Sequence, residues 1–230
     1  MKQIISAAIL SVGIALGGFF IFRGIDNFAK KDRVVTVKGL AEREVMADKV
    51  IWPLSFKEVG NDMQLLCNEV EHKQQMVIDF LKQNGISDDE IIVSAPSIYD
   101  RKAQQWSDNN VAQRYQTSVT ITVSSTHVET VMACMKKQAE LLKKGVAIQA
   151  DDYSSSTQFL YTHLAELKPE MVEQATANAR ATAVKFAEDA DCKLGSLVTA
   201  SQGSFSITED ATTPHIKNIR VVTNVTYNLK

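Results

Sequence analysis

The chain has 230 residues, and its 25 lysines and arginines against 27 aspartates and glutamates give a formal net charge of −2. Beyond an N-terminal apolar segment, roughly 200 residues remain, enough for one domain with a complete hydrophobic core. The near-neutral charge and the absence of a basic cluster with interleaved aromatic residues argue against nucleic-acid binding, so no nucleic-acid partner is expected.

An almost uninterrupted apolar run covers residues 4–22, with Lys2 before it and Arg23 after it. At about 1.5 Å per residue, a helix of this length spans the hydrocarbon core of a bilayer. A cleavable signal peptide has a shorter apolar run that ends in small residues, whereas this run ends in large aromatic ones. The pattern favours an uncleaved transmembrane anchor at 1–23 over a cleaved signal, with a linker at 24–32.

Basic residues after the run would hold the following domain in the cytoplasm by charge bias: Arg23, Lys30, Lys31 and Arg33. Inside the run, Gly13 and Gly17 are four residues apart. They form a strip of small residues through which two anchors could approach closely, and the ordinary glycine content of membrane helices is the alternative explanation.

The soluble part opens with two predicted strands, at 33–39 and 44–59. Pro53 has no amide hydrogen, so the second strand is expected at a sheet edge or with a bulge there. A helix follows, capped by Asn61 or Asp62 and ending at the next Asn-Gly pair. Its apolar residues recur at helical spacing: Leu65, Leu66, Val70, Val77, Phe80 and Leu81.

Two further strands, at 91–105 and 111–123, are predicted to form a hairpin around the polar turn 106–110. A second helix is expected over 126–144, because its apolar residues again recur at helical spacing: Val128, Val131, Met132, Met135 and Leu142.

The segment 115–123 is echoed 106 positions later by 221–229. In both copies the odd-numbered positions are mostly apolar and the even ones mostly Ser, Thr, Asn or Gln, which predicts strands with one buried and one wet face. The second copy continues the order of the first, with a strand at 153–162, a helix at 168–190 and strands at 195–207 and 216–229.

Strand-helix-strand-strand thus occurs twice, over about 44–124 and 152–230, with the helix 126–144 between the copies. We expect an α+β fold in which both copies form one largely antiparallel sheet with helices packed on it. The long helix carries small residues that permit close packing: Ala175, Ala179, Ala183, Ala187 and Ala190. Its other faces are expected in solvent, with Glu173, Arg180, Lys185, Glu188 and Asp189.

Several segments resemble the bacterial SIMPL-domain family: 35–39, 41–45 with Ala47 and Asp48, 51–53, and the alanine-rich helix that leads to 192–198. The resemblance covers about 34–229 and identifies 33–230 as a SIMPL domain. It implies a duplicated strand-helix-strand-strand fold, homo-oligomerisation and a periplasmic location behind an N-terminal signal or anchor, against the charge bias. The family includes oxidative-stress-defence members and implies no established catalytic residues.

The sequence contains no glycine-rich phosphate loop, Cys-x-x-Cys, His-Glu-x-x-His or Gly-x-Ser-x-Gly motif. The four histidines do not share metal-ligand spacing with one another or with a cysteine, which favours surface or capping roles for His72, His127, His163 and His215. The scattered cysteines are interpreted as small apolar residues, with one disulfide left open in an oxidising compartment: Cys67, Cys134 and Cys192. We predict no enzyme, and no catalytic, cofactor-binding or metal-binding residue.

The acidic residues of the family-like segment could in principle do acid–base work or hold a cation: Glu42, Glu44 and Asp48, next to Arg43. A solvent-facing turn with mutual charge compensation is the favoured interpretation. The acidic pairs at 151–152 and in 87–90 are likewise interpreted as polar residues of turns or helix ends.

The leading hypothesis is a single-pass protein of the bacterial inner membrane with a periplasmic domain that self-assembles and supports envelope integrity or stress resistance. The strand edge near Pro53 and the loops 106–110 and 209–215 are the expected contact surfaces. The alternative is a periplasmic binding module for a small ligand or peptide, with the sheet face not covered by helices as its platform. Tyr99, Trp106 and Tyr115 could lie together across the hairpin and support it, although aromatic cross-strand pairing for stability is the commoner cause of such a cluster. A hydrolase is disfavoured, because no nucleophile–base pair is discernible.

Overall fold

A computed structural model of the chain describes residues 13–23, 33–103, 112–149 and 156–230. In these ranges the helices are α1 at 13–23, α2 Met63–Gln83, α3 Val128–Met135, α4 Ala139–Lys143 and α5 Leu164–Asp189, with a short 3₁₀ helix at Asp88–Glu90. The strands are β1 Val34–Met46, β2 Lys49–Gly60, β3 Ile91–Val93, β4 Ser97–Asp100, β5 Tyr115–Ser125, β6 Ile148–Gln149, β7 Gln158–Leu160, β8 Leu194–Gln202, β9 Ser206–Asp210 and β10 Thr213–Leu229.

The helix α1 covers the second half of the predicted anchor, and residues 4–12 lie outside the described residues. Within the described ranges, no helix is both long enough and apolar enough to cross a membrane. Other predicted features also lie outside the described residues: the linker 24–32, the turn 106–110, the acidic pair 151–152 and the start of the strand 153–162.

The α+β class is confirmed, but the strands form two sheets and not the single sheet expected. One sheet has the order β3–β5–β2–β6, with β4 also on β5 and β7 on β2. The other has the order β1–β10–β8, with β9 also on β10. Alternating apolar residues specify which face of a strand is buried, but they do not specify its neighbour.

The pairing also changes the expected second copy. The strand predicted at 153–162 is reduced to β7 in the described residues, and it pairs antiparallel with β2. On one side, β10 pairs with β1. On its other side, β10 pairs antiparallel with β8. A strand that precedes the first copy therefore completes the sheet of the second.

The chain divides into two compact units. The first unit comprises Met1–Arg43, Ala165–Thr208 and Asn218–Lys230, and the second comprises Glu44–Leu164 and Glu209–Lys217. In the second unit, α2 packs on β2 and β5, and residues from all three are fully buried, including Leu54, Phe80 and Ile121. In the first unit, the alanines of α5 pack against Val37 of β1 and Val225 of β10.

The limits of α2 are those predicted from its caps. Asp62 is the N-cap, and its Oδ1 accepts hydrogen bonds from the backbone N–H of Gln64 at 2.8 Å and of Leu65 at 3.0 Å. The C-cap is Asn84, followed by Gly85 with a φ of +88° that favours glycine. Leu65 is exposed, contrary to expectation, while the other predicted core residues of this helix are buried.

The helix predicted over 126–144 is broken into α3 and α4. Between them the backbone makes tighter, three-residue hydrogen bonds, such as Lys137 N–H to Cys134 O at 2.9 Å and Gln138 N–H to Met135 O at 3.1 Å. Leu141 is fully buried, whereas the predicted core residue Leu142 is 66% exposed. The periodicity predicted a helical segment correctly, but the buried leucine is Leu141 and not the predicted Leu142.

Pro53 lies inside its sheet, so the predicted edge position is wrong. The pairing of β2 with β5 runs without a bulge, and Pro53 lies opposite Thr122. On the other side, β7 pairs at residues 49–51 and β6 pairs at Ser55 and Phe56. The proline thus falls between two short partner strands, so among the described residues its missing amide hydrogen interrupts no pairing on that side.

The alternation predicted for the two copies of the repeat is confirmed. In β5, residues Thr117, Val119, Ile121 and Val123 are buried, and the even positions between them are half-buried. In β10 the buried positions are Lys217, Ile219, Val221, Thr223, Val225 and Tyr227. Each copy therefore turns one face of its last strand to a core.

The alanine stripe of α5 is buried as predicted at Ala175, Ala179, Ala183 and Ala187, whereas Ala190 is exposed beyond the helix end. The small side chains let β1 approach closely: Asn178 Nδ2 donates to Leu40 O at 2.8 Å, and a Cβ on Gly39 would lie 1.8 Å from Ala175 O. The charged residues predicted on the outer faces are exposed.

Candidate functional site

The most constrained polar cluster is centred on Glu90, at the end of the 3₁₀ helix in the second unit. Its Oε1 accepts from Ser125 Oγ at 2.5 Å and from His127 Nδ1 at 3.0 Å. Its Oε2 accepts from the backbone N–H and the hydroxyl of Ser87, at 3.0 and 2.9 Å. The carboxylate thus ties the start of β3 to the end of β5 and the start of α3.

Burial by itself raises the pKa of Glu90, but the hydrogen bonds from Ser125, Ser87 and His127 outweigh it and lower the pKa to about 2. The carboxylate is therefore ionised at neutral pH. The Ser125 hydroxyl donates to this carboxylate and accepts from the backbone N–H of His127 at 2.8 Å, so it is not paired with a histidine base. The cluster links three segments of the chain by hydrogen bonds and contains no nucleophile–base pair.

The sequence pattern predicts a polar turn at Glu90 but does not indicate its hydrogen-bond partners elsewhere in the chain. The local part of the cluster has a sequence signal, because a serine followed three residues later by a glutamate is a capping box, as observed here. The link to Ser125 and His127 joins residues 35 and 37 positions apart and has no such signal.

Asp48 forms a second polar cluster, with His163. Asp48 Oδ2 lies 2.6 Å from His163 Nδ1, and both carboxylate oxygens accept from the backbone N–H of Thr162, at 2.9 and 2.8 Å. Burial tends to raise the pKa of Asp48, but these hydrogen bonds, led by that from His163, hold it below its ordinary value. The aspartate thus holds the segment after β7 against the start of β2.

Two charged residues of the family-like segment, Glu42 and Arg43, line an open groove of about 520 Å³ in the first unit. Its walls are Glu42, Arg43, Glu170, Glu173, Gln174 and Ala177. Arg43 Nη1 lies 2.6 Å from Glu170 Oε2, and Arg220 Nε lies 3.5 Å from Glu42 Oε1. The predicted turn with mutual charge compensation is therefore wrong: residues 42–44 lie in strand β1, and the charges of Glu42 and Arg43 are compensated by other elements. Asp48 and the exposed Glu44 are not among the groove residues.

The remaining histidines have separate surroundings. His72 is exposed on α2, and His215 lies edge-on to Phe159 with 6.2 Å between ring centroids. Among the described residues, no group of three or more histidine, cysteine, aspartate or glutamate side chains is arranged to hold a metal ion. The structure therefore brings together two carboxylate–histidine pairs, each held by backbone donors.

Residues 35–227 match the protein family SIMPL, which is described as a protein of unknown function (DUF541). The chain belongs to the SIMPL family. The resemblance seen in the sequence is thereby confirmed, and the match runs from β1 to near the end of β10, so that the polar clusters and the groove all lie inside the SIMPL domain. A search of curated proteins finds no match.

One lysine of the SIMPL domain occupies a core-facing position. Lys217 lies on the buried face of β10, its side chain is only 6% exposed, and its Nζ pairs with the half-exposed carboxylate of Glu209. Burial lowers the pKa of Lys217 below its ordinary value. The ammonium group therefore depends on Glu209 for compensation.

Replacement of Glu209 by alanine is expected to destabilise the SIMPL domain by about 2 kcal/mol, less than for a fully buried pair because the carboxylate reaches water. The double variant Glu209→Gln with Lys217→Met should recover that stability, since it removes the buried charge as well. Urea denaturation of both variants measures the difference. A double variant no more stable than Glu209→Ala would contradict this account.

The three cysteines are free thiols with unequal surroundings. Cys134 is buried, and burial raises its pKa to about 11, whereas Cys67 and Cys192 are half-buried. Because the thiolate is the reactive form, we expect a thiol reagent at pH 8 to modify Cys67 and Cys192 in the native SIMPL domain and Cys134 only after unfolding. Mass mapping of the modified peptides tests this, and equal modification of all three would contradict it.

Proposed function

We propose that the chain is a non-enzymatic protein of the bacterial inner membrane, anchored once through residues 4–22, with its SIMPL domain in the periplasm. The domain self-assembles and supports envelope integrity or stress resistance, oxidative stress included. The apolar N-terminal run supports the anchor, and the resemblance to periplasmic SIMPL proteins supports the location.

The observation that carries self-assembly is the exposure of β8. None of its nine residues is buried, and Leu197 and Val198, whose side chains point to opposite faces, are 54% and 48% exposed. Strands of soluble monomers normally bury at least one face, and exposed apolar strands at a sheet edge tend to recruit another strand. A surface of this kind supports association with another chain.

The polar clusters support a non-enzymatic role. The carboxylates of Glu90 and Asp48 are occupied by donors from neighbouring turns, and the hydroxyl of Ser125 is turned to a carboxylate. These arrangements stabilise loops and leave no activated nucleophile in either cluster.

Light scattering coupled to size-exclusion chromatography tests the proposal on the full-length protein in detergent. We expect a discrete assembly larger than one chain at micromolar concentration. A monomer across the accessible concentration range would overturn self-assembly.

The location is tested separately with a membrane-impermeant thiol reagent. The variant places a cysteine at the exposed position Glu188 in a chain whose half-buried Cys67 and Cys192 are replaced by serine, so that these native thiols are not labelled. In intact cells whose outer membrane has been permeabilised, we expect Glu188→Cys to be labelled. Labelling only after the inner membrane is disrupted would place the domain in the cytoplasm and overturn this part of the proposal.

The second candidate function is a binding module for a small ligand or peptide. The open groove beside α5 favours it, because Glu173 and Gln174 line a wall that also carries the Arg43–Glu170 pair. Of the aromatic platform considered from the sequence, Tyr99 is exposed, Tyr115 is covered by Arg114 at 4.8 Å, and Trp106 lies outside the described residues. A basic peptide that raises the melting temperature of the wild type, but not of Glu170→Gln with Glu173→Gln, would favour this candidate.

A further inference from the structure

The second unit has an exposed apolar edge of its own, formed by β3 and β4. In the described part of the chain, both strands pair with β5 alone, so their outer sides form an edge. Ile92 is 58% exposed, and Val93, Ile98 and Tyr99 are also exposed. The strand predicted over 91–105 is interrupted between β3 and β4, and the pairing with β5 shifts there by one residue.

The first unit presents the second edge, at β8. Leu197 and Val198 are its exposed apolar residues, and the exposed Lys193 directly precedes the strand. Lys193 exchanges two backbone hydrogen bonds of 2.8 Å with the C-terminal Lys230, which also is exposed. Two exposed lysines, against the exposed Asp191 two residues before Lys193, make the start of the β8 edge basic.

The start of the β3 edge is acidic, because Asp88 and Asp89 lie in the turn of 3₁₀ helix that leads into it, both with exposed side chains. Lys82 Nζ pairs with Asp88 Oδ1 at 2.6 Å, so Asp89 supplies the net negative charge. The spacing of charge and apolar residues is the same on the two edges. If the strands run parallel, with Asp88 opposite Lys193, then Ile92 and Val93 fall opposite Leu197 and Val198. An antiparallel alignment would bring the acidic start opposite the uncharged end of β8.

We propose that the β3–β4 edge of one chain binds the β8 edge of a second copy of this chain, side by side and parallel. The proposal rests on the self-assembly proposed above and specifies its surface. Backbone N–H and C=O groups of the two edges complete each other, the apolar side chains cover one another, and the acidic and basic ends set the direction. Because the two surfaces differ, contacts are head-to-tail and each chain can bind two neighbours.

A pair of edge variants tests this on full-length protein in detergent. Ile92→Lys blocks the β3–β4 edge and leaves β8 intact, whereas Val198→Lys does the reverse, since a lysine on an edge strand opposes pairing. Each variant alone is expected to be monomeric. A mixture of the two is expected to form a dimer and nothing larger, because one competent edge of each kind remains.

Leu142→Lys is the matched control, since Leu142 is 66% exposed and lies on α4, which is part of neither edge, and this variant should assemble like the wild type. Melting curves check that the variants fold, and Tyr99→Lys, on the same edge, replaces Ile92→Lys if that variant unfolds. If wild type assembles and both edge variants assemble equally well, the surface is wrong while self-assembly stands. If wild type is monomeric, self-assembly itself fails.

A charge exchange tests the direction. Asp89→Lys and Lys193→Glu should each raise the protein concentration needed for half-assembly by about threefold, as expected for an exposed ion pair. The chain with both substitutions should return toward the wild-type value. Equal weakening by the single and double variants would overturn the parallel alignment.

Discussion

Replacement of Gly39 by alanine is expected to destabilise the first unit by about 3 kcal/mol, the upper end of what overpacking usually costs. The added Cβ would lie 1.8 Å from Ala175 O, 2.6 Å from Ala179 N and 2.7 Å from Ala179 Cβ. Two of these three atoms belong to the helix backbone, so no side chain can rotate away. Relief requires α5 to move off β1 and to open the core that the alanine stripe closes.

Gly60→Ala is the matched control. Gly60 is likewise a strand glycine, at the end of β2, but an added Cβ there would meet its nearest atoms at 3.5 Å, an ordinary contact distance. Urea denaturation of the two variants beside the wild type gives the comparison. Equal stability of Gly39→Ala and Gly60→Ala would contradict the close approach of β1 to α5.

Replacement of Glu90 by alanine is expected to cost a similar amount, about 3 kcal/mol, because the carboxylate accepts four hydrogen bonds and two of its donors are the hydroxyls of Ser87 and Ser125. Ser125 is buried, so its hydroxyl would lose its acceptor without gaining water. Asp89→Ala, in the same turn but exposed, is the control and should change stability little.

Glu90→Ala should also change how the stability of the protein depends on pH. The pKa of Glu90 is lowered from an ordinary value of 4.5 to about 2. The contribution of its carboxylate to folding stability is therefore complete above pH 4.5 and is lost as the pH falls toward 2. The wild type should therefore lose its advantage over Glu90→Ala across this window. Asp48, whose pKa is also lowered, acts in the same direction in both proteins. A stability difference between the two that does not change from pH 6 to pH 3 would contradict the prediction.

The elements that the sequence predicted correctly depend on residues close to one another in the chain. The caps of α2 at Asp62 and Asn84 involve hydrogen bonds within four residues, and the alternation in β5 and β10 reflects which face each strand buries. The alanine stripe of α5 follows the helical period in the same way. The family assignment likewise rested on short local segments, and the match over 35–227 confirmed it.

What tertiary structure decided involves partners far apart in the chain. The strand that contains Pro53 is interior because β7 and β6 pair with it before and after the proline, along the edge opposite β5. Glu90 is buried because Ser125 and His127, from other elements, donate to its carboxylate. The division of the strands into two sheets has the same origin. A hydrophobic period fixes the face that a residue turns to the core, whereas the strand that fills the neighbouring place is chosen by packing of the whole chain. By itself, the sequence determined the elements, their buried faces and the family, and only the fold determined their neighbours.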